Sequence, residues 1–356
     1  MLKTALFEKH QQAGARLVEF AGWEMPLNYG SQIEEHNQVR NASGLFDVSH
    51  MMVTDFQGKE AHAFLRKLLA NDVSKLKTTG QALYSCMLNE NGGVIDDLIV
   101  YFRQQNNYRI VSNAGTRQKV SDWFKRVSVD FEVEITTQNE LAIIAVQGPE
   151  TRGILCEVLA QCADQLLMLS AFNAFQWHDL FIACTGYTGE DGFEIILPAE
   201  QSADFWQQLI DVGIKPIGLG ARDSLRLEAG MNLYGSDMDE EISPLQAGLS
   251  WTVALQDETR NFIGRAALQA EKSNGISRQQ IGLLLNEKGV LRAHQELFIA
   301  DQLIGEITSG GFSPVLGQAI ALARVDAHID TKQLADIEVE IRNKRQAVEV
   351  TKPPFI

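Results

Sequence analysis

The sequence predicts an α+β protein: two related ferredoxin-like (split βαβ) units followed by a C-terminal β-barrel. Three observations predict it. A strand, a Gln-Gly turn and an amphipathic helix recur at an offset of 90 residues. Each copy leads into a hairpin around clustered glycines, then a second helix and a closing strand. Beyond residue 275 the pattern changes to short strands separated by glycine.

Taken in order, residues 4–14 carry a helical pattern, Arg16-Leu17-Val18-Glu19-Phe20 alternates as a strand, and 21–26 reads as a loop. Ser31 with Glu34 forms a capping box that opens a helix through Val39. The repeat starts at Phe56-Gln57-Gly58-Lys59-Glu60, followed by Phe64-Leu65 and Leu68-Leu69-Ala70. Its second copy is Val146-Gln147-Gly148-Pro149-Glu150, followed by Ile154-Leu155 and Val158-Leu159-Ala160. The hairpins span 83–100 and 180–197. Helices containing Asp122-Trp123-Phe124 and Asp204-Phe205-Trp206 follow, and strands at 131–136 and 214–219 close the units. A loop then enters a helix at 218–231, an acidic connection runs over 236–248, and a helix lies near 264–272. The expected divisions are an N-terminal segment 1–50 that packs with the second unit, a first unit 51–136, a second unit with its following helix 137–248, and a barrel 249–356.

Composition narrows the function. Hydrophobic residues make up 45% and charged residues 22%, ordinary for a globular chain. A net charge of −15 argues against nucleic acid as a partner, because phosphate binding needs concentrated Lys and Arg. The N-terminus lacks a secretory or transit signal and no apolar run is long enough to span a bilayer, so a cytoplasmic protein with no membrane association is expected. Cys86, Cys156, Cys162 and Cys184 form no C-x-x-C pair and read as reduced thiols. The histidines are scattered, and no metal site is expected.

Two adjacent carboxylates, Asp96 and Asp97, follow the Gly92-Gly93 turn at the start of an apolar strand. Successive strand side chains point to opposite faces, so one is free to stay in solvent while the other is carried inward. Glu194 lies on the corresponding strand of the second unit, and the repeat makes Asp97 and Glu194 candidates for one shared site. Arg222, in the first turn of a helix, reads either as a carboxylate clamp, together with the exposed N–H groups of the helix start, or as the partner of a nearby Asp or Glu. Asp47, Ser49 and His50 carry the letters of a catalytic triad but are too close in sequence to adopt its geometry, so local hydrogen bonding is expected. Gly218-x-Gly220-x-x-Asp223 is half of a dinucleotide fingerprint, and its Asp would repel a pyrophosphate.

Taken together, several motifs resemble the aminomethyltransferase (T-protein) family of the glycine cleavage system. They are Phe20-Ala21-Gly22-Trp23-Glu24-Met25-Pro26, Gly44-Leu45-Phe46-Asp47-Val48-Ser49-His50-Met51, the stretches 92–101 and 218–231, and Thr185-Gly186-Tyr187-Thr188-Gly189-Glu190-Asp191-Gly192-Phe193-Glu194. Ile307-Thr308-Ser309-Gly310-Gly311-Phe312-Ser313-Pro314 and Thr351-Lys352-Pro353-Pro354-Phe355 extend the match over the whole chain. The resemblance implies a three-domain cloverleaf around a central folate site. It also implies a reaction in which the lipoylated H-protein, as partner, delivers an aminomethyl group. Ammonia is released, and the carbon passes to tetrahydrofolate, the co-substrate, as methylene-tetrahydrofolate. Residue by residue, it implies that Asp97 is catalytic, hydrogen-bonding the folate nitrogens. It matches Glu194 to the pterin-binding Glu and Arg222 to the arginine that holds the folate's glutamate tail. Tyr84, Tyr101, Asn113 and Tyr187 match positions lining the pocket. A monomer is expected. The chain stops at Ile356, so a folate contact made by longer tails elsewhere in the family is expected to be missing.

Two rivals are weaker. Non-catalytic folate-binding relatives linked to tRNA modification or iron–sulfur assembly lack the Asp-Asp pair and carry Lys-Gly-Cys-Tyr-x-Gly-Gln-Glu where this chain has Thr185-Gly186-Tyr187-Thr188-Gly189-Glu190. Folate-dependent demethylase domains are usually joined to a flavin oxidase, which this chain is too short to contain.

Overall fold

Helix α1 (Phe7–Gln12) leads into a hairpin of β1 (Arg16–Phe20) and β2 (Trp23–Asn28). The second strand corrects the loop expected at 21–26. Ala21 and Gly22 alone make the turn, both with positive φ (52° and 84°), the backbone pair of a two-residue type I′ hairpin. Phe20 then pairs with Trp23 and Glu19 with Glu24. Pro26 disguised the strand, and it is tolerated because the sheet has only these two strands and Pro needs no partner on the open side. Helix α2 (Gln32–Asn41) begins at the predicted Ser31 cap, whose Oγ accepts from the Glu34 N–H at 3.3 Å, the first of the two bonds of a capping box.

The computed structural model describes residues 1–329 and 336–356. After β3 (Gly44–Asp47) come β4 (Met52–Gln57), α3 (Ala61–Leu68), β5 (Ala82–Leu88), β6 (Val94–Gln104), β7 (Asn107–Ser112), α4 (Arg117–Val127) and β8 (Glu134–Thr137). Their sheet has the order β5-β6-β7-β4-β8. The last four strands have the split βαβ order that the sequence predicts, with β5 as an extra edge strand.

The second copy comprises β9 (Leu141–Gln147), α5 (Thr151–Val158), α6 (Ala163–Met168), β10 (Ala174–Trp177), β11 (Leu180–Ala183), β12 (Gly192–Pro198), α7 (Ala199–Asp211) and β13 (Lys215–Pro216). Its sheet order is β10-β11-β12-β9-β3-β13. Strand β3 is inserted between β9, to which it is antiparallel, and β13, to which it is parallel. The core of this copy includes Val146, Leu155, Ile182, Phe193, Ile195, Trp206 and Leu209.

The repeated glycines have a common physical cause. Gly58 and Gly148 have φ of +141° and +132°, and a Cβ on either would lie 2.4 Å from a backbone oxygen, of Glu132 and Ala42 respectively. Only glycine permits both the conformation and the approach.

The chain forms two compact units. One comprises Met1–Arg66, Val73–Tyr84 and Leu98–Asp223; the other comprises Lys67–Asp72, Ser85–Asp97 and Ser224–Ile356. In the second unit, α9 (Arg265–Asn274) precedes β14 (Arg278–Leu285), β15 (Glu296–Ile299), β16 (Gln302–Ser313), β17 (Gln318–Asp326), β18 (Ile337–Ile341), β19 (Lys344–Ala347) and β20 (Glu349–Thr351). These strands form a barrel-like sheet ordered β19-β18-β15-β16-β17-β14-β20 around Leu283, Leu297, Ile307, Ala321 and Val339. A buried ion pair, Arg226 Nη1 to Asp237 Oδ2 at 3.0 Å, is completed by the Ser309 hydroxyl, so neither charge is left without partners.

Among the described residues no helix is long and apolar enough to cross a membrane, and no group of three or more His, Cys, Asp or Glu is arranged to hold a metal ion. The four cysteines are free thiols.

Candidate active site

Strand β12 sends Phe193, Ile195 and Leu197 into the core, so alternation puts Glu194 on the opposite face. Its register partners are Ala183 on β11 and Ala145 on β9. Directly opposed residues share a face, so two of the smallest side chains flank the carboxylate. Thr185 Oγ1 donates to Glu194 Oε2 at 2.5 Å, and Tyr101 Oη lies 3.0 Å from the same threonine oxygen. Burial raises the pKa of Glu194 above the ordinary carboxylate value; the Thr185 hydroxyl and the nearby Arg222 charge oppose that rise.

The segment from Cys184 to Asp191, which carries Thr185 and Tyr187, is fastened at several points. Gln147, buried at the end of β9, donates through Nε2 to the Thr185 carbonyl at 3.1 Å and accepts from Thr188 Oγ1 at 3.0 Å. A Cβ at Gly186 would lie 1.9 Å from Gln147 Oε1, so glycine is required there. Arg40 Nη1 donates to the Thr188 carbonyl and to Glu190 Oε1, each at 2.7 Å. Arg152 grips Asp191 with two bonds, of 2.8 and 2.7 Å. The loop is held on a rigid frame, as a precise binding site requires.

Helix α8 (Leu219–Glu228) carries Arg222 in its first turn, and the guanidinium carbon lies 4.5 Å from the centroid of the Tyr187 ring. The exposed N–H expected at the start of this helix is, at Gly218, already taken. Glu35 Oε2 accepts from it at 2.8 Å, while Oε1 accepts from the Tyr29 N–H at 2.7 Å. Gly218 and Gly220 are small because a Cβ would strike Leu27 O or the Gln32 side chain at 2.3 Å. Close packing, and no dinucleotide, accounts for both.

Two family models match nearly the whole chain: the GCVT N-terminal domain over residues 6–257 and the glycine cleavage T-protein C-terminal barrel domain over residues 278–356. The chain belongs to the glycine cleavage T-protein family. It is 53% identical over 355 residues to an aminomethyltransferase of Alcanivorax borkumensis, covering 99% of this chain and 96% of that one. An aminomethyltransferase of Stenotrophomonas maltophilia is 52% identical, with 99% and 96% covered. The crystal structure of the glycine cleavage system aminomethyltransferase T from Bartonella henselae superposes with a TM-score of 0.93 at 34% identity, covering 100% of this chain and 98% of that one.

In this T-protein family chain, the residues singled out from sequence divide into two groups. Glu194, Arg222, Tyr187 and Tyr101 are joined by direct contacts or near electrostatic interaction. Tyr101 enters through its hydroxyl: it is 1% exposed, and its ring packs edge-on against Phe181 at 5.2 Å. Tyr84 on β5, Asn113 just after β7 and Asp97 on β6 stand on or beside the five-stranded sheet, each partly exposed. With Asp97 matched to the folate, the sequence leaves Asp96 either turn-end hydrogen bonding or a place in solvent; Asp96 is completely buried, which rules out the second.

Asp47, Ser49 and His50 do not form a triad. Asp47 accepts from Thr4 Oγ1 at 2.6 Å, His10 Nε2 at 2.9 Å and the Ser49 N–H at 2.9 Å. Burial works against its charge, but these partners outweigh burial and leave its pKa lowered. Ser49 Oγ bonds the backbone of Ile143. His50 is buried, its Nδ1 has no hydrogen-bond partner among the described residues, and its pKa is pushed down to about 3. Burial is the main cause, followed by the positive charge of Arg222; Asp47 opposes the shift and Arg117 adds to it. Sequence reasoning passed over Thr185 and Gln147. The Gln-Gly repeat was the available signal for Gln147. Thr185 had only its place two residues before Tyr187.

Proposed function

We propose that this chain is the aminomethyltransferase of a glycine cleavage system, with tetrahydrofolate as co-substrate and the lipoylated H-protein as partner. What supports the reading within the site is Glu194. A half-buried carboxylate flanked by two alanines and fixed at one oxygen suits the flat edge of a pterin, whose N–H and NH₂ are a paired donor set for a carboxylate. Tyr187 and Arg222 beside it offer a flat face and a cation for the rest of the folate, ending in its glutamate carboxylates. Tyr84 and Asn113 complete the folate-binding set by resemblance.

In the reaction the aminomethyl carbon leaves both its lipoyl sulfur and its amine nitrogen and becomes bonded to two folate nitrogens. The two N–H protons lost from folate balance the thiol and the ammonia released. Asp97 is assigned to hydrogen-bond those nitrogens, orienting them and handling their protons. Holding donor and acceptor together supplies a further share of the acceleration.

The test mixes the protein with aminomethylated H-protein and records ammonia with and without tetrahydrofolate. Fast release that requires both is expected. Release indifferent to folate, or none at all, contradicts the reading.

A further inference from the structure

Resting on that reading of the site, we propose that Tyr101 and Thr185 are positioning residues that fix Glu194 as a hydrogen-bond acceptor and so select a ligand edge with paired N–H donors. Two bonds in series carry the inference. Tyr101 Oη and Thr185 Oγ1 are 3.0 Å apart, and Thr185 Oγ1 donates to Glu194 Oε2 at 2.5 Å. Tyr101 and Thr185 are both buried.

Counting hydrogens gives the chain its direction. A phenol has one hydrogen to donate, and so does a threonine hydroxyl. When Thr185 gives its hydrogen to Glu194, Tyr101 gives its own to Thr185, and each hydrogen has an acceptor. Were Glu194 protonated and donating through Oε2, Thr185 would turn its hydrogen toward Tyr101. The phenol hydrogen would then be stranded: among the described residues Tyr101 Oη has no second hydrogen bond, and Phe181 packs against its ring. A buried donor without an acceptor is costly. Tyr101, two bonds away, therefore penalises a proton on Oε2, and by polarising the Thr185 hydroxyl it strengthens that donor toward the carboxylate, which also disfavours a proton on Oε1. This opposes burial, which raises the pKa of Glu194, and works in the same direction as the charge of Arg222.

The other groups around the carboxylate leave its titration legible. Strands β11 and β9 present Ala183 and Ala145. Arg222 comes from α8, with Tyr187 beneath it. Near Tyr101 lie Arg109 on β7, bound to Asp55 by two hydrogen bonds, and Cys184, whose thiol burial keeps protonated. His50, which also feels Arg222, titrates at about 3. Glu35, whose pKa burial also raises, holds the Gly218 N–H at the start of α8, so Glu194 is read from the difference between wild type and Tyr101→Phe and not from the wild-type response alone.

The experiment measures affinity for tetrahydrofolate against pH, by anaerobic calorimetric titration, in the wild-type protein and in Tyr101→Phe, Thr185→Val and Thr185→Ser. Wild-type affinity falls on acidification as Glu194 takes a proton. In Tyr101→Phe, which removes only the phenol oxygen, the midpoint moves to higher pH. Thr185→Val moves it further and weakens binding roughly tenfold at neutral pH, the loss of about one charge-assisted hydrogen bond. Thr185→Ser restores both properties. Identical midpoints in wild type and Tyr101→Phe overturn the proposal and leave the folate reading standing, as does a loss that is equal at every pH. If wild type does not bind tetrahydrofolate, the reading beneath the proposal fails instead. Tyr101→Phe adds no bulk, so it remains informative even if Thr185→Val does not fold.

Discussion

The guanidinium of Arg222 lies over the ring of Tyr187, its central carbon 4.5 Å from the ring centroid. A planar cation on an aromatic face keeps its edge N–H groups available for a carboxylate. Arg222→Lys retains charge and loses the flat face and fork. Its affinity for tetrahydrofolate is expected to fall about tenfold, and that of Arg222→Ala further. The same substitution to Ala removes a cation that, after burial, helps to hold His50 down, so the His50 imidazole shift in a proton NMR titration moves to higher pH. An unmoved His50 would separate the two residues.

Glu194→Gln keeps the shape of the side chain and replaces an acceptor with an NH₂ group that faces the ligand's own donors. Binding of tetrahydrofolate is expected to weaken by about a hundredfold, close to 2.8 kcal/mol at 1.4 kcal/mol for each factor of ten. Because burial raises the pKa of Glu194, wild-type affinity declines as the solution is acidified through that raised value. In the variant this decline flattens, and calorimetric titration at several pH values reads both effects.

His50 gives stability an acid limb. In the folded protein its imidazole stays neutral down to about pH 3, whereas an unperturbed histidine titrates at 6.5. Between those values the unfolded chain binds a proton that the folded chain refuses, so stability falls as pH falls, by at most about 1.4 kcal/mol per pH unit. The full contribution is present above the upper value. Asp47, lowered from 3.8, supplies stability that is present above that value and lost below it, so it leaves most of the His50 window clear. Urea unfolding of His50→Gln should give a shallower slope through weakly acid pH than wild type.

Asp97 stands on β6 beside the wholly buried Asp96 and is itself partly exposed. Asp97→Asn is expected to slow turnover by about a hundredfold or more, the usual scale for a lost acid–base group, with little change in folate affinity. Asp96→Asn alters a buried carboxylate, so its effect belongs to folding, read as a lower urea midpoint. Equal turnover in wild type and Asp97→Asn would remove Asp97 from the chemistry.

Much of this architecture is written in local patterns. The Gln-Gly turns marked both copies because Gly58 and Gly148 occupy the same conformation against a backbone oxygen. The alternation Phe193-Glu194-Ile195 placed Glu194 on the face away from the core. What stayed hidden depends on distant partners. Strand β3 enters the second sheet between β9 and β13, pairing Gly44 with Gln147 on one side and with Lys215 on the other, separations that no local period encodes. Strand β2 hid behind Pro26 because an Ala-Gly type I′ turn is an uncommon spelling. Asp96 looked free to face water because alternation gives the side of a strand and not what covers it. Thr185 acquires its role only when Tyr101 arrives from the other sheet, and a threonine in a loop announces none of that.

Transfer of one carbon to folate is followed by labelling that carbon. H-protein carrying a ¹³C-aminomethyl lipoyl arm is mixed with this protein and tetrahydrofolate, quenched over time, and followed by carbon NMR alongside an ammonia assay. Labelled methylene-tetrahydrofolate and ammonia are expected to appear together in equal amounts. Ammonia released while the label stays on the arm or escapes as free formaldehyde would contradict that transfer.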